Sequence, residues 1–141
     1  MFDPPIARSL VVGILGGLIA QGMKVISFLI LEKRINFRRL FETDGAPNMH
    51  SAAFSALAVA IGTARGFASI DFGVAICLTT LVTVDMWNVK RAASRQAEMV
   101  DIIIQKLRPG AVPRSRRPLS YSVVDVLAGT AIGVATALTA G

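Results

Sequence analysis

Residues 10–31 read LVVGILGGLIAQGMKVISFLIL, and this stretch decides the fold. Wound as a helix it spans roughly 33 Å, enough to cross the hydrocarbon core of a bilayer. Its only strongly polar positions are Gln21, Lys24 and Ser27. Residues 1–7 carry no basic segment and no convincing cleavage site follows, so the run is expected to be retained as a membrane helix.

The remainder of the chain agrees with that reading. Of 141 residues, 53% are hydrophobic and only 17% charged, a composition too apolar for an ordinary soluble domain. The net charge of +6 sits between apolar blocks without interleaved aromatics, which argues for a membrane surface and against nucleic acid as the partner. Cys77 is the one cysteine and lies inside an apolar run, so no disulfide framework and no metal-ligand spacing exist, and no cofactor is expected.

Further apolar runs cover residues 51–63, 72–86 and 123–140. The runs at 51–63 and 72–86 make a helical hairpin, with arms short enough to need extension by their flanks. Beyond residue 86, Ala93, Ala97, Val100, Ile104 and Leu107 recur at three- and four-residue steps, so the third helix is expected to continue as an amphipathic cytoplasmic extension until Pro109 and Gly110. That extension suits either the bilayer surface and its own bundle or a partner subunit. The fold class expected is an all-α integral membrane protein. One domain over residues 1–141 carries helices at about 10–31, 51–63, 72–107 and 123–140.

Orientation follows from the basic residues. The loops after the first and third spans hold twelve lysines and arginines, against Arg8 and Arg65 on the other side. Basic loops stay cytoplasmic, so both termini are expected outside. Gly13 with Gly17, and Gly129 with Gly133, are small-xxx-small pairs suited to close helix packing within the fold or, less often, between copies.

This topology brings one ionisable group per helix to about one depth: Lys24, His50, Asp85 and Asp125. Charges in a bilayer are costly and mark functional sites, yet each has a plainer role. Lys24 either pairs with Asp85 or Asp125 or binds phosphate. Asp125 suits a helix N-terminus, Asp85 suits an interfacial cap, and His50, after Pro47 and Asn48, suits loop hydrogen bonds.

Four segments carry a family resemblance: AQGMK at 20–24, GAPNMHSAA at 45–53, DMWNVKRAASRQA at 85–97 and DVLAGTAIG at 125–133. In this order they resemble the divergent PAP2 family, small membrane proteins related to acid phosphatases and vanadium-dependent haloperoxidases. The resemblance implies a phosphate site with Lys24, Arg34 (or Lys33) and Arg91 as cations and Asn48 as an amide donor. It makes His50 the proton donor and Asp125 the carboxylate that orients a nucleophilic histidine. Where that histidine belongs, four residues before Asp125, the chain has Tyr121, and His50 is its only histidine.

The expectation is therefore a degenerate site with catalytic positions His50, Tyr121 and Asp125, phosphate-binding positions Lys24, Arg34, Asn48 and Arg91, Asp85 at the interface, and no metal. The protein is expected to have lost phosphatase activity. It would act in the bacterial inner membrane as a pseudoenzyme that binds anionic lipid headgroups or as an accessory subunit of a membrane complex. The alternative is an active phosphatase on a phospholipid or isoprenoid phosphate.

Overall fold

The computed structural model describes residues 4–32, 47–108, 110 and 123–140. They form four helices: α1 (Pro4–Glu32), α2 (Met49–Arg65), α3 (Ile70–Leu107) and α4 (Val123–Ala140). No strand occurs among the described residues. Three of the helices, α1, α3 and α4, contain stretches long and apolar enough to cross a membrane. α2, with 17 residues, is about 25 Å long and lies at the centre of the bundle, packed on all three others.

The interior is built from small side chains. Among the described residues the buried core consists of Val12, Ala56, Ala60 and Ala137, with Ala20, Ala52 and Ala58 also buried, and none of the larger side chains is fully enclosed. Ile14, Leu18, Ile26, Leu81, Leu127 and Leu138 point outward instead. A water-soluble bundle would bury such side chains, whereas a bilayer solvates them and leaves association to close backbone packing.

Glycines make that packing possible. A Cβ on Gly16 would lie 2.7 Å from Ala56 Cβ and 3.0 Å from the Ala52 carbonyl oxygen, and one on Gly13 would lie 3.1 Å from Leu57 Cβ. On the opposite flank of α2, a Cβ on Gly129 would overlap Ser51 Oγ and the Asn48 carbonyl oxygen, and one on Gly133 would overlap Ser55 Oγ and the Ala52 carbonyl oxygen. Both expected small-residue pairs thus pack within one chain. Gly16, outside either pair, makes the closest approach on the α1 side.

These contacts also set direction. Gly13 meets Leu57 and Gly17 meets Ala53, so α1 runs antiparallel to α2, whereas Gly129 meets Ser51 and Gly133 meets Ser55, so α4 runs parallel to it. Arg8 closes the far end by donating to the Ala140 carbonyl at 2.7 Å, where a cation complements the exposed carbonyls of a helix terminus.

α2 ends at Gly66, whose φ of +93° favours glycine and whose N–H bonds back to the Gly62 carbonyl at 2.8 Å. α3 begins after Ser69, whose Oγ accepts from the Phe72 N–H at 3.2 Å. Between them Phe67 folds over Gly62 and meets Phe72 edge to face, with ring centres 5.1 Å apart. The arms of this hairpin outreach their apolar runs, because a helix continues as long as its backbone bonds are satisfied.

α3 is continuous for 38 residues, about 57 Å, nearly twice the thickness of a bilayer core. It meets α2 through Thr79, whose Oγ1 donates to its own-helix Ala75 carbonyl at 2.7 Å and to the Phe54 carbonyl at 3.3 Å. In the distal part the expected apolar stripe divides. Ala97 and Ile104 turn inward with Lys90, Ser94 and Asp101, while Ala93, Val100 and Leu107 are exposed.

The packing predicts a sharp contrast between glycines. Gly133→Ala should destabilise the fold by about 1–3 kcal/mol through overpacking. Gly22→Ala and Gly73→Ala, where an added Cβ meets nothing within 4 Å, should be neutral or mildly stabilising. Unfolding titrations in mixed micelles would show the difference.

Candidate functional site

The site takes shape where the chain enters α2. Asn48 has an extended backbone (φ −77°, ψ 117°), and its side-chain oxygen accepts from the His50 N–H at 2.9 Å, the bond expected of a helix N-cap. Its carbonyl accepts from the Ala52 N–H at 3.1 Å and from Ser51 Oγ at 3.0 Å. Its own N–H donates to the Asp125 carbonyl at 3.0 Å, which ties the start of α2 to the first turn of α4. Asn48 is thus an anchor joining two helices, and the residue is only 3% exposed.

Ser51 and Ser55 extend this polar seam. Ser55 Oγ donates to the Ser51 carbonyl at 2.6 Å and approaches the Thr130 carbonyl on α4 at 3.3 Å. Serines suit the seam because their hydroxyls satisfy local carbonyls while their size admits the α4 glycines.

Lys24 belongs to the same layer. Gly17 meets Ala53 and Met49 in the antiparallel register, so Lys24, about two turns further along α1, lies at the end of the bundle where α2 begins. The parallel register of α2 and α4 sets Asp125 at that level too. Lys24 is 2% exposed and Asp125 8%, so a cation and a carboxylate are buried at one end of the bundle. Both residues have interaction partners, and among the described residues no buried side-chain nitrogen or oxygen lacks a hydrogen-bond partner.

His50, one residue before the apolar run at 51–63, is half-buried. Its burial, and secondarily the positive charge of Lys90 on α3, hold its pKa below the ordinary value of 6.5. The imidazole is thereby kept neutral at neutral pH, suited to accept a proton more than to supply one.

Two expected members stand apart. Asp85 is exposed on α3, and among the described residues its side chain has no hydrogen-bond or ion-pair partner, so of the two carboxylates considered for Lys24 the structure buries only Asp125. α3 presents the Asp85 carboxylate away from the bundle even though its depth is similar. Arg91 is likewise exposed. Arg34, Lys33 and Tyr121 lie outside the described residues.

Asp101 is a further buried carboxylate, one that the sequence did not single out. It is only 7% exposed and is partnered, roughly 24 Å along α3 from Asp85. The signal was its place on the face shared by Lys90, Ser94, Ala97 and Ile104. Among the described residues no group of three or more histidine, cysteine, aspartate and glutamate side chains is arranged to hold a metal ion.

Comparison with known proteins agrees with this architecture. The Bacillus subtilis (strain 168) protein named "Uncharacterized membrane protein YuiD" is 28% identical over 85 residues, which make up 60% of this chain and 54% of that protein. The match thus spans about half the length of that relative. No solved structure matches the chain. The model of the family described as "Divergent PAP2 family" matches residues 7–136, which take in all four helices nearly end to end, and the chain belongs to the divergent PAP2 family.

Proposed function

We propose that this divergent PAP2-family membrane protein binds a phosphate-bearing lipid headgroup at the Lys24, Asn48 and Asp125 end of its bundle without hydrolysing it, or serves a membrane complex as an accessory subunit. The observation that carries this reading is the burial of Lys24 at the level of Asp125, in an interior otherwise made of small residues. A charge in a bilayer is costly and persists where it is paired or used, and a lysine there offers phosphate a compact positive charge. The family resemblance adds Arg34 and Arg91 as further cations, Arg91 from an exposed position on α3 apart from the buried layer.

The loss of turnover rests on Tyr121, which stands where the family pattern has its nucleophilic histidine. A phenol with a pKa of about 10 is a poor nucleophile without strong activation. The twelve-to-two distribution of basic residues supports an inner-membrane orientation with both termini outside, so the site would meet the cytoplasmic leaflet.

One observation favours the second reading, an active phosphatase on a phospholipid or isoprenoid phosphate. A neutral His50 has the protonation state of a general base for an attacking water.

Phosphate release in nanodiscs containing phosphatidic acid, phosphatidylglycerol phosphate or an isoprenoid diphosphate separates the two. No release is expected from the wild type. Release that Asp125→Ala abolishes would establish the phosphatase instead.

His50 also yields a pH dependence. Its folded-state pKa is depressed, so the unfolded chain binds the proton more readily and the folded protein is favoured at higher pH. That contribution should be complete above pH 6.5 and fade as the pH falls through the folded value. Between pH 7.5 and 5, the melting temperature of wild type should drop more than that of His50→Gln, and parallel curves would contradict the assignment.

A further inference from the structure

At the opposite end of the bundle, α1, α2 and α3 enclose a cleft of about 320 Å³. Leu57, Ile61 and Ala64 of α2 form its floor, Ser9 and Leu10 of α1 one wall, and Asp71 and Val74 of α3 the other, with Arg65 at its rim. From Leu57 to Arg65 it runs about 12 Å along α2. Apart from the rim its lining is chiefly aliphatic.

The rim carries a charge pair. Arg65 Nε lies 3.5 Å from Asp71 Oδ2, with both side chains about half exposed. Arg65 ends α2 and Asp71 begins α3, each at the helix terminus that its charge favours, which accounts for the pair but not for the cleft beside it. The single Nε contact engages one of five guanidinium donors, so the group retains capacity to bond an anion. A cation and an anion side by side complement a headgroup that carries both signs.

We propose that this cleft binds phosphatidylethanolamine: the headgroup phosphate meets Arg65, its ammonium meets Asp71, and the adjoining stretch of one acyl chain lies over Leu57, Ile61 and Val74. The volume falls in the range of small-molecule pockets, and the shape, apolar along its length and charged at one end, is that of a lipid entering from the side. A purely anionic headgroup meets repulsion from Asp71, and an apolar molecule leaves the charge pair unused. This site is independent of the Lys24 layer, which lies at the other end of α2.

Native mass spectrometry of the full-length protein tests the proposal, after equilibration in micelles with equal amounts of palmitoyl-oleoyl phosphatidylethanolamine and phosphatidylglycerol. One phosphatidylethanolamine per chain should be retained, with about fivefold or greater preference. Arg65→Gln and Val74→Trp alter exposed positions, so the bundle should keep its helicity and melting temperature while retention falls about fivefold or more. Equal retention of the two lipids, or undiminished retention by Val74→Trp, would overturn the proposal. Retention that is lost in Lys24→Met while surviving Arg65→Gln would also overturn it, by placing the lipid at the other end.

Discussion

Everything in this bundle depends on how closely α2 is gripped between α1 and α4. Gly16 on one side and Gly129 and Gly133 on the other leave no room for a Cβ against the backbone and serines of α2. In a bilayer, burying an aliphatic side chain against protein gains little over burying it in lipid, so helix association rests on close contact and on hydrogen bonds between helices. The alanines and serines of α2 supply the small surface, and the glycines bring the neighbouring backbones to it. Large apolar side chains are left on the outside, where lipid solvates them.

The same grip positions the polar layer. Glycine contacts allow one register between helices, and that register sets Lys24, Asn48 and Asp125 at a common depth. The bond from the Asn48 N–H to the Asp125 carbonyl then locks the start of α2 to the start of α4. A buried lysine is tolerated only because the layer around it is polar. α3 is outside this grip: it packs chiefly on α2, buries only Ala75 and Asp101, and extends far beyond the bilayer.

Much of this was legible in the sequence, and the gaps have physical causes. Apolar runs locate helices but understate their lengths, since capping residues such as Asn48 and Ser69 are polar and the helices they open reach past the apolar stretch. Spacing revealed Gly13, Gly17, Gly129 and Gly133, yet Gly16 comes as close because α2 meets α1 through Ala52 and Ala56 on the adjacent ridge. Depth can be read by counting residues from the end of a span, and that logic grouped Asp85 with Lys24. The direction in which a helix faces is set by its neighbours, and α3 turns Asp85 outward. Asp101 was missed for the converse reason, because a carboxylate in an amphipathic stretch looks solvated until its face is known. Family motifs identified Asn48 as a candidate ligand, while its hydrogen bonds also make it the cap of α2.

The central claim is that Lys24 anchors a phosphate-bearing headgroup. The most direct measurement is equilibrium binding of phosphatidic acid to the protein in micelles, for wild type and for Lys24→Met, which keeps the length of the side chain and removes its charge. Saturable binding at one site that weakens about tenfold or more in the folded variant is the predicted result. Equal affinity in the two proteins would contradict the account and leave Lys24 with a structural role alone.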